Sequence, residues 1–129
     1  MQSNHTSLGY QVAVDLYGCD ATQINAAREV EKHLLHAAAL MKCTVINSML
    51  HQFSPIGVSG VVVIAESHIA VHTWPEHGYI ALDIFTCSAE HDFAAGIAYL
   101  EKTFGASHTE QQTGHRGRMD LVRAQNRMS

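Results

Sequence analysis

The spacing of apolar residues along the chain predicts six β-strands and two helices. Between residues 10 and 17, Val12, Val14 and Leu16 alternate with more polar neighbours, which is the pattern of a strand with one buried face. Residues 58–65 are nearly all apolar and follow the turn-forming residues Pro55 and Gly57. By the same criteria, further strands are predicted at residues 44–53, 68–74, 79–87 and 107–113.

Two segments have the spacing of amphipathic helices. Asp20 is expected to cap the first, which runs to about residue 42, and Asp92 opens the second. The apolar stripes are Ile24, Ala27, Val30, Leu34, Ala38 and Met41 in the first helix, and Phe93, Ile97, Leu100 and Phe104 in the second. The order β-α-β-β-β-β-α-β, with hairpins in the middle, predicts an α+β fold. We expect a two-layer sandwich whose mostly antiparallel sheet carries both helices on one face.

The sheet face away from the helices has an unusual composition. On the strand at 68–74, Ile69 and Val71 fall on one side, and the other side carries His68, Ala70, His72 and Trp74. Because such a set of side chains is unusual for a plain solvent-facing surface, we expect this face to lie near an interface. The sequence therefore predicts a homodimer formed through the sheets.

Length and composition indicate one globular domain over residues 1–129. The chain is 47% hydrophobic and 16% charged, and no stretch approaches 18 uninterrupted apolar residues. Residues 1–10 lack the basic-then-apolar pattern of a signal peptide. Three widely spaced cysteines, Cys19, Cys43 and Cys87, suit neither a disulfide framework nor a zinc knuckle. We therefore expect a cytoplasmic protein with no membrane partner.

The charge distribution argues against a nucleic-acid partner. Residues 1–115 contain four Lys or Arg against eleven Asp or Glu, and an acidic body is a poor platform for a phosphate backbone. Four arginines follow in the C-terminal segment, where Asp120 is the only acidic residue. We interpret residues 114–129 as a solvated, partly mobile tail.

Residues 61–87 concentrate reactive side chains and allow several interpretations. The three histidines of residues 68–77 could ligate a metal, but on a strand residues i and i+4 lie about 13 Å apart and cannot share one ion. No metal site is therefore predicted. Ser67 and His72 with Asp83 or Glu76 could form a hydrolytic triad, but the GxSxG turn that presents such a serine is absent.

Four blocks of sequence resemble the short bacterial and archaeal form of the S-adenosylmethionine decarboxylase proenzyme family. They are DLYGC at residues 15–19, FSPIGVSG at 53–60, AESHIAVHTWPE at 65–76 and DIFTC at 83–87. The blocks occur in order, and the resemblance extends to about residue 113. It implies an enzyme that cuts its own chain and carries a covalent pyruvoyl group in place of a bound cofactor.

The resemblance places self-cleavage between Glu66 and Ser67. Ser67 Oγ would attack the Glu66 carbonyl to give an ester, and elimination would then leave the pyruvoyl group at residue 67. The products would be a β chain of residues 1–66 and an α chain of residues 67–129. The family assigns His72 the role of proton acceptor in the elimination, which suits imidazole because it exchanges protons near neutral pH. It assigns Ser59 a hydrogen-bonding role during the acyl shift.

The resemblance also implies the reaction, which is decarboxylation of S-adenosyl-L-methionine to the aminopropyl donor of spermidine biosynthesis. The substrate amine would form a Schiff base with the pyruvoyl group, which serves as the electron sink, and Cys87 would protonate the resulting carbanion. Phe53 and Trp74 resemble residues that stack on the adenine, and Glu76 resembles the carboxylate that binds the ribose hydroxyls. In this family the pocket draws on both protomers.

Two alternatives remain open from the sequence. Some relatives of the family decarboxylate arginine or ornithine, although the retained adenine and ribose pocket favours the nucleoside substrate. A non-cleaving binding module of the same fold is the second alternative. The intact pair Glu66 and Ser67 argues against it.

Overall fold

The centre of the fold is one antiparallel sheet of six strands. In the computed structural model, which describes residues 7–87 and 91–128, the strands are β1 (Ser7–Tyr17), β2 (Val45–Gln52), β3 (Val58–Ile64), β4 (Ser67–Trp74), β5 (Tyr79–Thr86) and β6 (His108–Arg118). The described helices are α1 (Ala27–Leu40), α2 (Phe93–Thr103) and α3 (Met119–Met128). The strand order in the sheet is β2-β3-β4-β5-β1-β6. Strand β1, the first in the chain, therefore lies between β5 and β6.

Helices α1 and α2 cover one face of this sheet. Val30 and Leu34 of α1 and Ile97 and Leu100 of α2 are buried in one hydrophobic cluster with alternating residues of the central strands. The strand residues in this cluster are Val12, Val14, Leu16, Val58, Val62, Ile64, Ile69, Val71, Ile80, Leu82 and Ile84. This burial with a period of two confirms the predicted α+β sandwich. No helix in the described part of the chain is long and apolar enough to cross a membrane.

The start of α1 differs from the prediction. Asp20 does not cap this helix, because its Oδ1 accepts hydrogen bonds from the Thr22 N–H at 2.9 Å and from the Thr22 hydroxyl at 2.7 Å. These bonds close a separate turn, and α1 begins only at Ala27. The prediction was wrong because an aspartate near the start of an apolar stripe can bond its own turn instead of a helix. Asp92 does cap α2 as predicted, accepting from the Ala95 N–H at 3.2 Å.

The C-terminal segment has more regular structure than the sequence indicated. Strand β6 continues to Arg118, past the predicted end at residue 113, and α3 follows it. The pairing of β6 with β1 extends from His108 opposite Tyr17 to Arg118 opposite Ser7. Its side chains are largely polar and exposed, so the hydrophobic pattern did not reveal its full length. The pairing uses backbone groups, which every residue other than proline supplies.

Gly60 allows β2 and β3 to approach closely, and a side chain there should destabilise the fold. A Cβ at position 60 would lie 2.4 Å from the Met49 carbonyl oxygen and 2.6 Å from Leu50 Cα. Because overpacking of this kind costs about 1–3 kcal/mol, we expect Gly60→Ala to lower the free energy of unfolding by that amount in urea denaturation. Gly114→Ala on β6 is the matched control, since no atom lies within 4 Å of the added Cβ. Equal losses in both variants would contradict this explanation.

Candidate active site

The predicted cleavage site lies in a tight turn between β3 and β4. Ile64 pairs with Ser67, so Ala65 and Glu66 form a two-residue connection. Glu66 is exposed and has a φ of 64°. In this left-handed region a side chain costs about 1–2 kcal/mol relative to the right-handed region. The peptide bond between Glu66 and Ser67 is therefore presented at a strained turn, as is common at functional sites.

A backbone hydrogen bond polarises the Glu66 carbonyl group. Its oxygen accepts from the Cys87 N–H at 3.0 Å. Cys87 follows β5 directly, and its residue is exposed with a free thiol. The bond brings the predicted proton donor next to the predicted cleavage site. It also directs an N–H group at the oxygen on which negative charge would develop if the carbonyl carbon were attacked.

Ser67 contacts two residues that the sequence analysis did not identify. Ser67 Oγ donates to Thr86 Oγ1 at 2.7 Å, and Thr86 Oγ1 lies 3.0 Å from His91 Nδ1. The same nitrogen lies 3.4 Å from Ser67 Oγ. A signal for Thr86 was present, because the hairpin that sets Trp74 opposite Tyr79 also sets Ser67 opposite Thr86. His91 precedes α2 and belongs to no periodic pattern, so the sequence alone gave no signal for it.

A second cluster lies at the other end of β4. Ser59 on β3 and His72 on β4 are directly opposite each other, and Ser59 Oγ lies 2.9 Å from His72 Nδ1. The His72 ring is 6.2 Å from the Trp74 ring, which stacks on Tyr79 at 5.2 Å. His72 and Trp74 are exposed on the sheet face away from α1 and α2. This cluster is therefore accessible to a ligand or to a second molecule.

The Tyr79 ring packs against one face of the Trp74 ring. Its hydroxyl donates to Asp15 Oδ1 at 2.5 Å. The pKa of Tyr79 is raised to about 12, mainly by burial and secondly by this hydrogen bond. The phenol therefore keeps its proton near neutral pH and remains a donor to Asp15. The bond holds the tyrosine ring in one orientation against the tryptophan.

The two remaining predicted binding residues lie at the same end of the sheet as Trp74. Phe53 follows β2 and is 46% exposed, and its N–H donates to the Gly57 carbonyl at 2.8 Å, which closes the loop between β2 and β3. Glu76 is exposed on the short 3-10 turn Pro75–His77 between β4 and β5. The β2–β3 and β4–β5 connections lie at the same end of the antiparallel sheet. The rings of Phe53 and Trp74 and the carboxylate of Glu76 are therefore all located at that end.

Ser67 and His72 do not meet within one chain. They are five residues apart on β4, which corresponds to about 17 Å, and an odd separation puts their side chains on opposite faces. Asp83 shares the face of His72, where it lies opposite Ala70. A hydrolytic triad built from Ser67 and His72 of a single chain is therefore wrong. Among the residues that the structure describes, no group of three His, Cys, Asp or Glu side chains could hold a metal ion.

Comparisons with known proteins indicate one family. The family profile described as S-adenosylmethionine decarboxylase matches residues 10–117, which include both clusters. The S-adenosylmethionine decarboxylase proenzymes of Acidithiobacillus ferrooxidans and Fervidobacterium nodosum are each 41% identical over 116 residues. Each match covers 90% of this chain, with 87% and 85% of the respective relatives. The crystal structure of the adenosylmethionine decarboxylase from Aquifex aeolicus has a TM-score of 0.79 and 34% identity, covering 87% of this chain and 92% of that chain.

Proposed function

Because this chain belongs to the S-adenosylmethionine decarboxylase family, we propose that it is a proenzyme that cuts itself between Glu66 and Ser67 and carries a pyruvoyl group at residue 67. Its reaction follows from the family: it is a carboxy-lyase that removes CO2 from S-adenosylmethionine, a step of polyamine biosynthesis. Arginine and ornithine are not favoured as substrates. The observation that best supports self-cleavage is the bond from the Cys87 N–H to the carbonyl of the strained Glu66.

The cleavage chemistry uses groups that already lie at the turn. Ser67 Oγ forms a bond to the Glu66 carbonyl carbon, and the Cys87 N–H at 3.0 Å stabilises the charge on the oxygen. The C–N bond then breaks, which leaves an ester between the Glu66 carbonyl carbon and Ser67 Oγ. In the elimination a base removes the Ser67 Cα proton, and the Glu66 carboxylate departs. The dehydroalanine that remains takes up water and loses ammonia to become the pyruvoyl group.

The surroundings of residue 67 fit a small ketone at a new chain end. Strand β4 is paired on both sides, so residue 67 stays between Ile64 and Thr86 after the cut. The Thr86 hydroxyl, which Ser67 Oγ contacts before the cut, lies beside that position. The pyruvoyl group supplies the electron sink for the loss of CO2. Cys87 comes directly after Thr86, which lies opposite residue 67. Its free thiol is the proposed proton donor to the α-carbon of the substrate after CO2 is lost.

The end of the sheet that carries Trp74 is the proposed nucleoside site. Trp74 and Phe53 are 39% and 46% exposed, so their ring faces can stack on adenine. The electron-rich ring faces also attract a sulfonium cation. The Glu76 carboxylate can accept hydrogen bonds from both ribose hydroxyls. Supported by Tyr79, Trp74 is already oriented before substrate arrives.

A complete site requires two chains, because the nucleoside cluster and Ser67 lie at opposite ends of one sheet. The sheet face away from the helices exposes Met49 by 67% and Val63 by 39%, and stacking two sheets by a two-fold axis would cover these side chains. If the stacked strands run in opposite directions, the His72 end of one protomer lies over the Ser67 end of the other. We therefore propose a homodimer in which Ser59 and His72 act on the serine of the partner subunit.

Self-cleavage can be tested with one substitution and one control. Wild-type protein should yield two chains, residues 1–66 and 67–129, the second with a blocked pyruvoyl end. Ser67→Ala should remain uncut and release no CO2 from S-adenosylmethionine, because neither the ester nor the ketone can form. Cys87→Ser keeps the backbone N–H, so it should be cut but should decarboxylate about 100-fold more slowly. Intact-mass spectrometry and a labelled-CO2 assay measure both steps.

The opposite results separate the alternatives. Full activity of Ser67→Ala would contradict the pyruvoyl mechanism. A single uncut wild-type chain without activity would favour the non-cleaving binding module. Release of CO2 from arginine or ornithine, with none from S-adenosylmethionine, would contradict the assigned substrate.

The shared site predicts complementation between two inactive variants. In a mixed dimer of Ser67→Ala and His72→Ala chains, one site combines an intact serine with an intact histidine, so the His72→Ala chain should be cut. With random pairing after co-expression, roughly half of the His72→Ala chains should be cleaved. Mass spectrometry of differently tagged chains measures this fraction. If the histidine acts within its own chain, no cleavage should appear.

The fluorescence of Trp74, the only tryptophan in the sequence, should report nucleoside binding. Titration of uncut Ser67→Ala protein with S-adenosylmethionine should quench the emission to saturation, because adenine stacks on the indole. Phe53→Ala and Glu76→Gln should each weaken binding about tenfold, since each contact is worth roughly 1–2 kcal/mol. Glu29→Gln on the exposed side of α1 is the control and should bind normally. Emission that adenosine and S-adenosylmethionine leave unchanged would contradict the assignment.

A further inference from the structure

Ser67, Thr86 and His91 form a short chain of hydrogen bonds that the steps described above leave unused. The Ser67 hydroxyl donates to Thr86 Oγ1 at 2.7 Å, and Thr86 Oγ1 lies 3.0 Å from His91 Nδ1. A threonine hydroxyl that accepts one hydrogen can donate its own. When the imidazole is neutral and carries its hydrogen on Nε2, Nδ1 is the acceptor. In that arrangement the Ser67 hydroxyl donates to the Thr86 oxygen, and the Thr86 hydroxyl donates to His91 Nδ1.

We infer that Thr86 and His91 withdraw the proton from Ser67 Oγ during the attack on Glu66, within the same chain. This inference rests on the proposed self-cleavage. As the Oγ–C bond forms, the serine proton passes to the Thr86 oxygen while the threonine proton passes to His91 Nδ1. As the C–N bond breaks, the Ser67 nitrogen takes up one proton, and the ring returns to its neutral form. No oxidant, metal or further reactant is required.

The position of these groups makes His72 unsuitable for this step. Ser67 Oγ is bonded on the helix-facing side of the sheet, where Thr86 is 1% exposed. His72 projects from the other face of the sheet. If a second sheet stacks on that face, the His72 of the partner subunit also approaches Ser67 from the side of the backbone opposite to Ser67 Oγ. Burial of the Thr86 hydroxyl also keeps bulk water from replacing it as the proton carrier. The two histidines are thus assigned to different protons, His91 to the Oγ proton and His72 of the partner subunit to the Cα proton.

The test follows cleavage from the moment of synthesis in a cell-free system. Thr86→Val keeps the shape of the side chain but removes the hydroxyl, and we expect cleavage to slow at least tenfold. Thr86→Ser, the conservative variant, should restore most of the rate. Thr73→Val is the matched control, because Thr73 is also a buried threonine on a central strand. Its hydroxyl accepts the Val58 N–H at 3.0 Å, so this variant loses a buried hydrogen bond at the far end of the sheet.

A second measurement identifies the step that is slowed. Hydroxylamine splits an ester, so it should cut His72→Ala protein after residue 66, since that variant is blocked after ester formation. Thr86→Val should resist hydroxylamine because its ester forms slowly. His91→Ala should also cleave at least tenfold more slowly, and added imidazole should recover part of the rate. This rescue keeps the inference testable even if Thr86→Val does not fold.

Several outcomes would overturn the inference. They are normal cleavage of both Thr86→Val and His91→Ala, an ester in Thr86→Val as abundant as in His72→Ala, or equal slowing by Thr73→Val and Thr86→Val. In each case an uncut Ser67→Ala chain beside a cut wild type would leave the proposed function intact. A wild-type chain that is never cut would contradict the proposed function itself.

Discussion

The register of β4 between β3 and β5 determines which candidate side chains face each other across these three strands. The two-residue turn after Ile64 fixes the pairing on one side, and the hairpin through the turn Pro75–His77 fixes it on the other. In that register Ser59 meets His72, and Ser67 meets Thr86. A shift by one residue would exchange the two faces of the strand. It would turn His72 into the hydrophobic core and break the contact between the two hydroxyls.

Much of this arrangement was predictable from the sequence because strand geometry is so regular. The alternation on residues 68–74 placed His72 and Trp74 on one face, and the hairpin already implied that residue 67 lies opposite residue 86. The resemblance supplied the roles of these residues but not their separation. The odd separation between Ser67 and His72 was visible in the sequence. On one β-strand such a separation places the two side chains on opposite faces of the sheet.

Other features of the structure depend on which of several possible hydrogen bonds or contacts forms, and the hydrophobic pattern of the sequence does not show this. Asp20 could bond a helix or its own turn, and the local turn was favoured. Strand β6 extends by pairing its backbone with β1, so its polar side chains carried no signal. His91 reaches Ser67 because Asp92 starts α2 at that point. Its contact is tertiary, and no spacing along the chain encodes it.

The strand order has a consequence for the proposed cut between Glu66 and Ser67. Strands β1, β2 and β3 would belong to the first product, and β4, β5 and β6 to the second, yet β1 is inserted between β5 and β6. Three ladders, β3 with β4, β5 with β1 and β1 with β6, would therefore hold the products together without a covalent link. Once denatured, however, the two polypeptides diffuse apart. Renaturation then depends on their encounter and on concentration, whereas the uncut precursor carries both parts on one chain.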